Sequence, residues 1–204
     1  MIRGDWMPIT GHGWELHVNR LGLQTRGRVT RTYSTYQVHR DGVAVADLFG
    51  HVCECTGPGD NLHRNSKRIK AGRYPLSTQF GRKYRSMGFS QDTHTPAVQP
   101  MPGLLLKDTG RRTAILIHPG HPPKLFLSSI GCLNLTSPLR KNDNMEFFES
   151  RARVIALIDS LRAFSPDSFH DGRPRQIPGA FIVIDGEPMT PVPDAPPPGP
   201  PLVS

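Results

Sequence analysis

Cysteine is scarce in this chain, with three in 204 residues: Cys53, Cys55 and Cys132. An odd number leaves at least one thiol outside any intramolecular disulfide, and so few exclude a disulfide-built scaffold. Long apolar runs are missing too. Apolar residues make up 36% of the chain, and no stretch approaches the roughly 20 residues needed to cross a bilayer as a helix. The N-terminal residues carry no apolar core of the signal-peptide type. The expectation is a soluble protein, made in the cytoplasm and not exported by the general route. Acidic residues are absent from 61–90, which hold Arg64, Lys67, Arg68, Lys70, Arg73, Arg82, Lys83 and Arg85. The rest of the chain balances, so the formal net charge of +8 is local. Such a patch attracts an anionic partner or forms a solvated loop.

Glycine (20) and proline (21) are plentiful and favour short strands and turns over long helices. Residues 1–12 read as a flexible arm, 13–187 as one domain and 188–204 as a proline-rich tail. Trp14–Val18 alternates weakly as a first strand. Residues 29–39 are rich in Thr, Tyr and Val, Asp41-Gly42 signals a hairpin, and 43–49 and 51–56 continue as strand. This predicts an antiparallel meander. Residues 81–103 read as a long excursion, with Met87–Met101 as a candidate lid. Residues 104–107 and 113–117 read as strands, with His118 at a strand end. A helix start is read at Thr136-Ser137-Pro138. A second, at Asp143 with Glu146 three residues on, opens a helix over about 143–163 with Phe148, Ala152, Ile155, Ile158 (with Val154) and Leu161 at helical spacing. Residues 181–184 read as a last strand.

The chemistry centres on His118 and Cys132. A thiolate is the reactive form of cysteine, and a neighbouring imidazole or backbone amides generate it. Gly131 lets the backbone turn sharply beside Cys132, and the N–H groups of Gly131 and Cys132 are placed to form an oxyanion hole. Ser129 is placed to hold the loop or His118. The expected chemistry is acyl transfer: His118 takes the thiol proton and Cys132 attacks an amide carbonyl.

Ser129-Ile130-Gly131-Cys132-Leu133-Asn134 closely resembles the signature of the L,D-transpeptidase (YkuD-like) family. That signature is a histidine, a loop, then Ser/Thr, His, Gly, Cys, a hydrophobic residue and Asn or Arg. Ile69–Pro75 and Ile115–Gly120 resemble a related group of small bacterial and phage-borne domains. The chain departs from the pattern at Ile130, where the family has histidine, and in its shorter loop from His118 to Ser129. The resemblance implies a mainly β (α+β) fold with mixed and antiparallel sheets and one amphipathic helix after the cysteine. It implies action on peptidoglycan stem peptides, with Cys132 as nucleophile, His118 as base, and Ser129 and Gly131 completing the catalytic set. Tyr84, Asn134, Pro119 and Gly120 are the expected substrate-binding residues. No metal or cofactor is implied. The expected site of action is the periplasm or cell envelope after non-classical delivery, with a secretion carrier or an immunity protein as further partners.

Three other readings stay open. His118, His121 and Cys132, or His51, Cys53, Cys55 and His63, could bind zinc. Tyr74, Phe80 and Tyr84, interleaved with the basic residues, could stack on nucleic acid. The same fold could also serve as a catalytically inactive interaction module.

Overall fold

The computed structural model describes residues 8–63 and 66–192. Residues 1–7 of the arm read over 1–12, Arg64 of the basic stretch and residues 193–204 of the tail read over 188–204 lie outside the described residues. Among the described residues the chain is mainly β with one α-helix, and that helix follows Cys132. Eight strands close into a barrel: β1 (Trp14–Arg26), β2 (Val29–Arg40), β3 (Val43–Cys55), β4 (Gly72–Thr78), β7 (Leu104–Leu106), β8 (Leu116–Pro119), β9 (Leu133–Thr136) and β10 (Gln176–Asp185). Two short strands, β5 (Tyr84–Arg85) and β6 (Met101–Pro102), pair separately.

The expected meander is present as β1–β2–β3, paired antiparallel throughout. Asp41 (φ 49°) and Gly42 (φ 81°) both adopt the left-handed conformation, the geometry of a type I′ hairpin. Between the bulges of these strands, even-numbered residues such as Leu16, Val18 and Val52 point into the core and odd-numbered ones such as His17, Gln37 and His51 point outward; past the bulge between Gln37 and His39 the register shifts, so Ala44 shares the outer face of His39. The strand over Trp14–Val18 runs on to Arg26. Closure comes from a parallel pairing of β1 with β10, with Trp14 opposite Ala180. β8 and β9 form the other parallel pair of the barrel.

Several expectations are corrected. No helix starts at Thr136; that residue ends β9, opposite His51. The helix α1 spans Phe147–Phe164 and is capped by Glu146, whose carboxylate accepts from Phe148 N and Glu149 N. Asp143 instead closes a turn by accepting from Arg140 N. The buried stripe is Phe147, Val154, Leu157, Ile158 and Leu161, so Phe148, Ala152 and Ile155 lie beside it. Ala114, at φ 57°, breaks the strand read over 113–117, so β8 begins at Leu116 and contains His118. The last strand begins at Gln176.

The basic stretch does not present eight free charges. Arg68 is fully buried and paired with Glu187. Arg73 pairs with Glu15 and lies over the Phe181 ring. Tyr74 and Tyr84 are buried, so they are no stacking platform for bases. Residues 87–101 are mostly irregular, as expected, but they are pinned. Phe89 enters the main core, Ser90 N donates to Pro100 O, and Arg151 donates to Ser90 O. Beyond β10, Thr190–Val192 run beside β1, with Leu23 N donating to Thr190 O and Val192 N to Leu23 O.

Candidate active site

Parallel pairing of β8 and β9 sets His118 opposite Asn134. Side chains alternate along a strand, so Cys132 shares a face with Asn134, and Leu116 shares one with His118. Ile117, Leu133 and Leu135 fill the core; His118 and Cys132 therefore lie together on the outward face. They are diagonal neighbours, with Cα atoms about 8 Å apart from strand spacing and rise.

His118 is 2% exposed. Its Nδ1 lies 2.8 Å from Pro119 O. A carbonyl only accepts, so Nδ1 carries the proton and Nε2 carries the lone pair. That is the tautomer a general base needs. Asn134 Nδ2 lies 3.2 Å from His118 Nδ1 and donates to His118 O at 3.1 Å. Asn134 is fully buried and holds the His118 main chain through that carbonyl; an amide N–H and a protonated Nδ1 are both donors, so the 3.2 Å approach is no hydrogen bond to the ring. Pro119 likewise acts through its carbonyl. Gly120 N donates to Ser150 Oγ at 2.8 Å, and that hydroxyl donates to Leu135 O. Ser150 thus ties α1 to the ends of both strands. A Cβ at Gly120 would meet Met145 Cε at 2.6 Å, so a side chain there would displace the Met145 tip.

The Tyr84 ring lies on the His118 ring, with centroids 4.4 Å apart. On His118's other neighbour, His121, Nδ1 donates to Pro122 O (2.9 Å) and Nε2 accepts from Tyr84 Oη at 3.2 Å. Lys83 Nζ stands 3.4 Å from the same Nε2. His118, Tyr84, His121 and Lys83 therefore form one connected cluster.

The cysteine loop is held from inside. Ser129 Oγ accepts from Gly131 N and donates to Cys132 O, both at 2.8 Å. Its backbone oxygen accepts from Cys55 Sγ at 3.1 Å. Ser129 is thus a loop staple. Gly131 N is engaged by that staple, which corrects the oxyanion hole expected from it. Gly131 has φ 150°, and a Cβ there would collide with Arg112 Nη2. Arg112, itself buried, donates to Ile130 O, Asp60 O and Lys67 O. The Ile130 side chain is 79% exposed.

Cys132 is half-buried; its Sγ accepts from Leu116 N at 3.3 Å and lies 3.6 Å from Ala114 O. Burial pushes its thiol above the ordinary value, against the Leu116 amide and the Arg112 guanidinium, which pull it down. Burial pushes the His118 imidazole down to about 3, and His121 and Lys83 add to that fall. At rest the thiol and the imidazole are both neutral. Alkylation of Cys132 by iodoacetamide is therefore expected to be slow at pH 7 and to climb through pH 9 and above. Cys53 and Cys55, both buried, stay unlabelled in the folded protein. Mass-spectrometric mapping of the label checks this. Rapid labelling at pH 7 that slows in His118→Ala would show a preformed thiolate–imidazolium pair instead.

Both zinc readings lack their geometry: no group of three His, Cys, Asp or Glu side chains is placed to hold a metal ion among the described residues. His51 instead stacks on Tyr33, with centroids 5.0 Å apart. Sequence reading missed Arg112, Lys83 and Ser150. Only Lys83 carried a signal, as part of the basic stretch. The others act through backbone groups that no spacing reveals. No family model, curated protein or solved structure matches this chain.

Proposed function

We propose that this protein is a cysteine acyl-transfer enzyme acting on peptidoglycan stem peptides, on a fold of the L,D-transpeptidase type. The observation that carries the proposal is the placement of Cys132 and His118 on one face of adjacent parallel strands, with Nδ1 of His118 donating to Pro119 O. His118 Nε2 removes the Cys132 proton as sulfur attacks the amide carbonyl. The new S–C bond forms, the C–N bond breaks, and the leaving amine takes the proton back from His118. A thioester remains. A stem amine resolves it as a cross-link or exchange, and water resolves it as hydrolysis. Because the resting pair is neutral, the proton moves during attack and not beforehand.

Peptidoglycan lies outside the cytoplasm, so the proposal includes delivery to the periplasm or cell envelope as a secreted effector or phage-associated protein. A secretion carrier and an immunity protein are its proposed partners. The test is incubation of the purified protein with disaccharide-tetrapeptide muropeptides, read by mass spectrometry. The expected result is a new cross-linked, exchanged or trimmed species that Cys132→Ala does not produce. Unchanged muropeptides, or the same products from Cys132→Ala, would rule the proposal out.

The burial that keeps both groups neutral favours one second reading, a catalytically inactive interaction module on the same fold. It predicts unchanged muropeptides together with slow alkylation of Cys132.

A further inference from the structure

A cleft of about 530 Å³ opens on the outer face of β1, β2 and β3, and none of the cysteine-site residues lines it. The strand register builds its floor in rows. His17, Gln37 and Phe49 stand side by side, and Asn19, Thr35 and His51 form the next row. Leu21 and Pro138 add apolar wall; Tyr36, a core residue, and Arg153, from α1, border the cleft. The size suits a small organic ligand.

Four nitrogens of the lining side chains are buried without a hydrogen-bond partner among the described residues: His17 Nε2, His39 Nδ1, His51 Nδ1 and Arg153 Nε. Buried polar atoms in folded proteins are nearly always paired; His17 Nε2 faces Asp185 Oδ2, so His39 Nδ1, His51 Nδ1 and Arg153 Nε are the three that call for a partner. His51 is 4% exposed. Arg153 donates through Nη1 to Phe49 O (2.9 Å) and through Nη2 to Glu149 Oε1 (3.0 Å). The Tyr36 hydroxyl is a further partner. The N–H on Nε has no partner among the described residues, and it only donates. The charged groups around the cleft are Arg153; Glu149, which is 42% exposed at its side chain; Asp185, 3.6 Å from His17 Nε2; and Glu15, which stands opposite His39 and is paired with Arg73. No three of the lining histidines and nearby acids are placed to hold a metal.

We propose that this cleft binds a small carboxylate with a flat or branched apolar body. The carboxylate accepts from Arg153 Nε–H and from an imidazole N–H of His51 or His39, and the body lies against Phe49, Leu21 and Pro138. A carboxylate accepts several hydrogen bonds at once and carries the charge opposite to Arg153. A neutral amide of the same shape lacks that charge and brings donors where the site already has them.

The full chain is titrated calorimetrically with 2-naphthoate and with 2-naphthamide, and His51 ring resonances are followed by NMR. The naphthoate is expected to bind with a Kd below about 1 mM and the amide at least about tenfold more weakly. Arg153→Met is expected to remove that difference. Ala44→Trp, at an exposed lining position, is expected to fill the cleft and abolish both while leaving thermal unfolding unchanged. Absence of naphthoate binding to the wild type, equal binding of the amide, or undiminished binding to Ala44→Trp would overturn the proposal.

Discussion

Glu54→Gln is expected to lower the unfolding free energy by about 3–5 kcal/mol, the cost of leaving one member of a buried ion pair without its partner. Glu54 and Arg20 point into the barrel interior, and neither side chain is exposed. Arg20 donates to Glu54 through Nε (2.9 Å) and Nη2 (2.8 Å), a bidentate contact. It also donates to Ile69 O, Gly186 O and Glu187 Oε1. Arg68 donates to the other Glu187 oxygen and to Thr32 Oγ1. Two guanidinium groups and two carboxylates thus join β1, β2, β3 and the segments around 68 and 187. The neutral amide introduced by Glu54→Gln still fits but offers Arg20 one acceptor oxygen and no charge. Proteins of this size have only about 5–15 kcal/mol in hand, so the shift in urea midpoint is large. The loss extends to the site: Glu187 also accepts from Gly59 N, and the neighbouring Asp60 and Lys67 carbonyls hold Arg112 against the cysteine loop. A midpoint within experimental scatter of the wild type would show that water reaches the quartet.

His118→Ala is expected to reduce muropeptide turnover by about 10²–10⁴-fold, the range for losing a positioned general base. No other base replaces it. His121 Nε2, the nearest candidate, is engaged by Tyr84 Oη and faced by Lys83. The high-pH arm of Cys132 alkylation should persist in this variant, because hydroxide removes the thiol proton there without help. Loss of alkylation at every pH would mean that His118→Ala disturbs the loop and not the chemistry.

Part of this arrangement was legible in the residues. Alternating Thr, Tyr and Val over 29–39 and the Asp41-Gly42 turn specify a hairpin locally, and the structure has it. Helical spacing after 143 marks α1, but the cap falls at Glu146 because Asp143 is drawn into a turn with Arg140. Barrel closure was not legible: Trp14 meets Ala180 across the whole chain, and no local pattern encodes that partner. The basic stretch misled because charge counts do not reveal Arg68 and Arg73 turning inward to Glu187 and Glu15. At the site, Gly131 beside Cys132 pointed to a tight loop, which the φ of 150° bears out. That Ser129 engages the Gly131 amide, and that Arg112 fills the space above Gly131, depends on contacts 2 to 19 residues apart.

The central claim is that Cys132 forms a covalent acyl intermediate with a stem peptide. Intact-protein mass spectrometry after brief incubation with a tetrapeptide stem, quenched in acid, tests it most directly. The account predicts a mass increase equal to the stem less its leaving amine, mapped to Cys132, reversed by hydroxylamine and absent in Cys132→Ala. An unmodified protein at every time and pH, or an adduct that survives in Cys132→Ala, would contradict it.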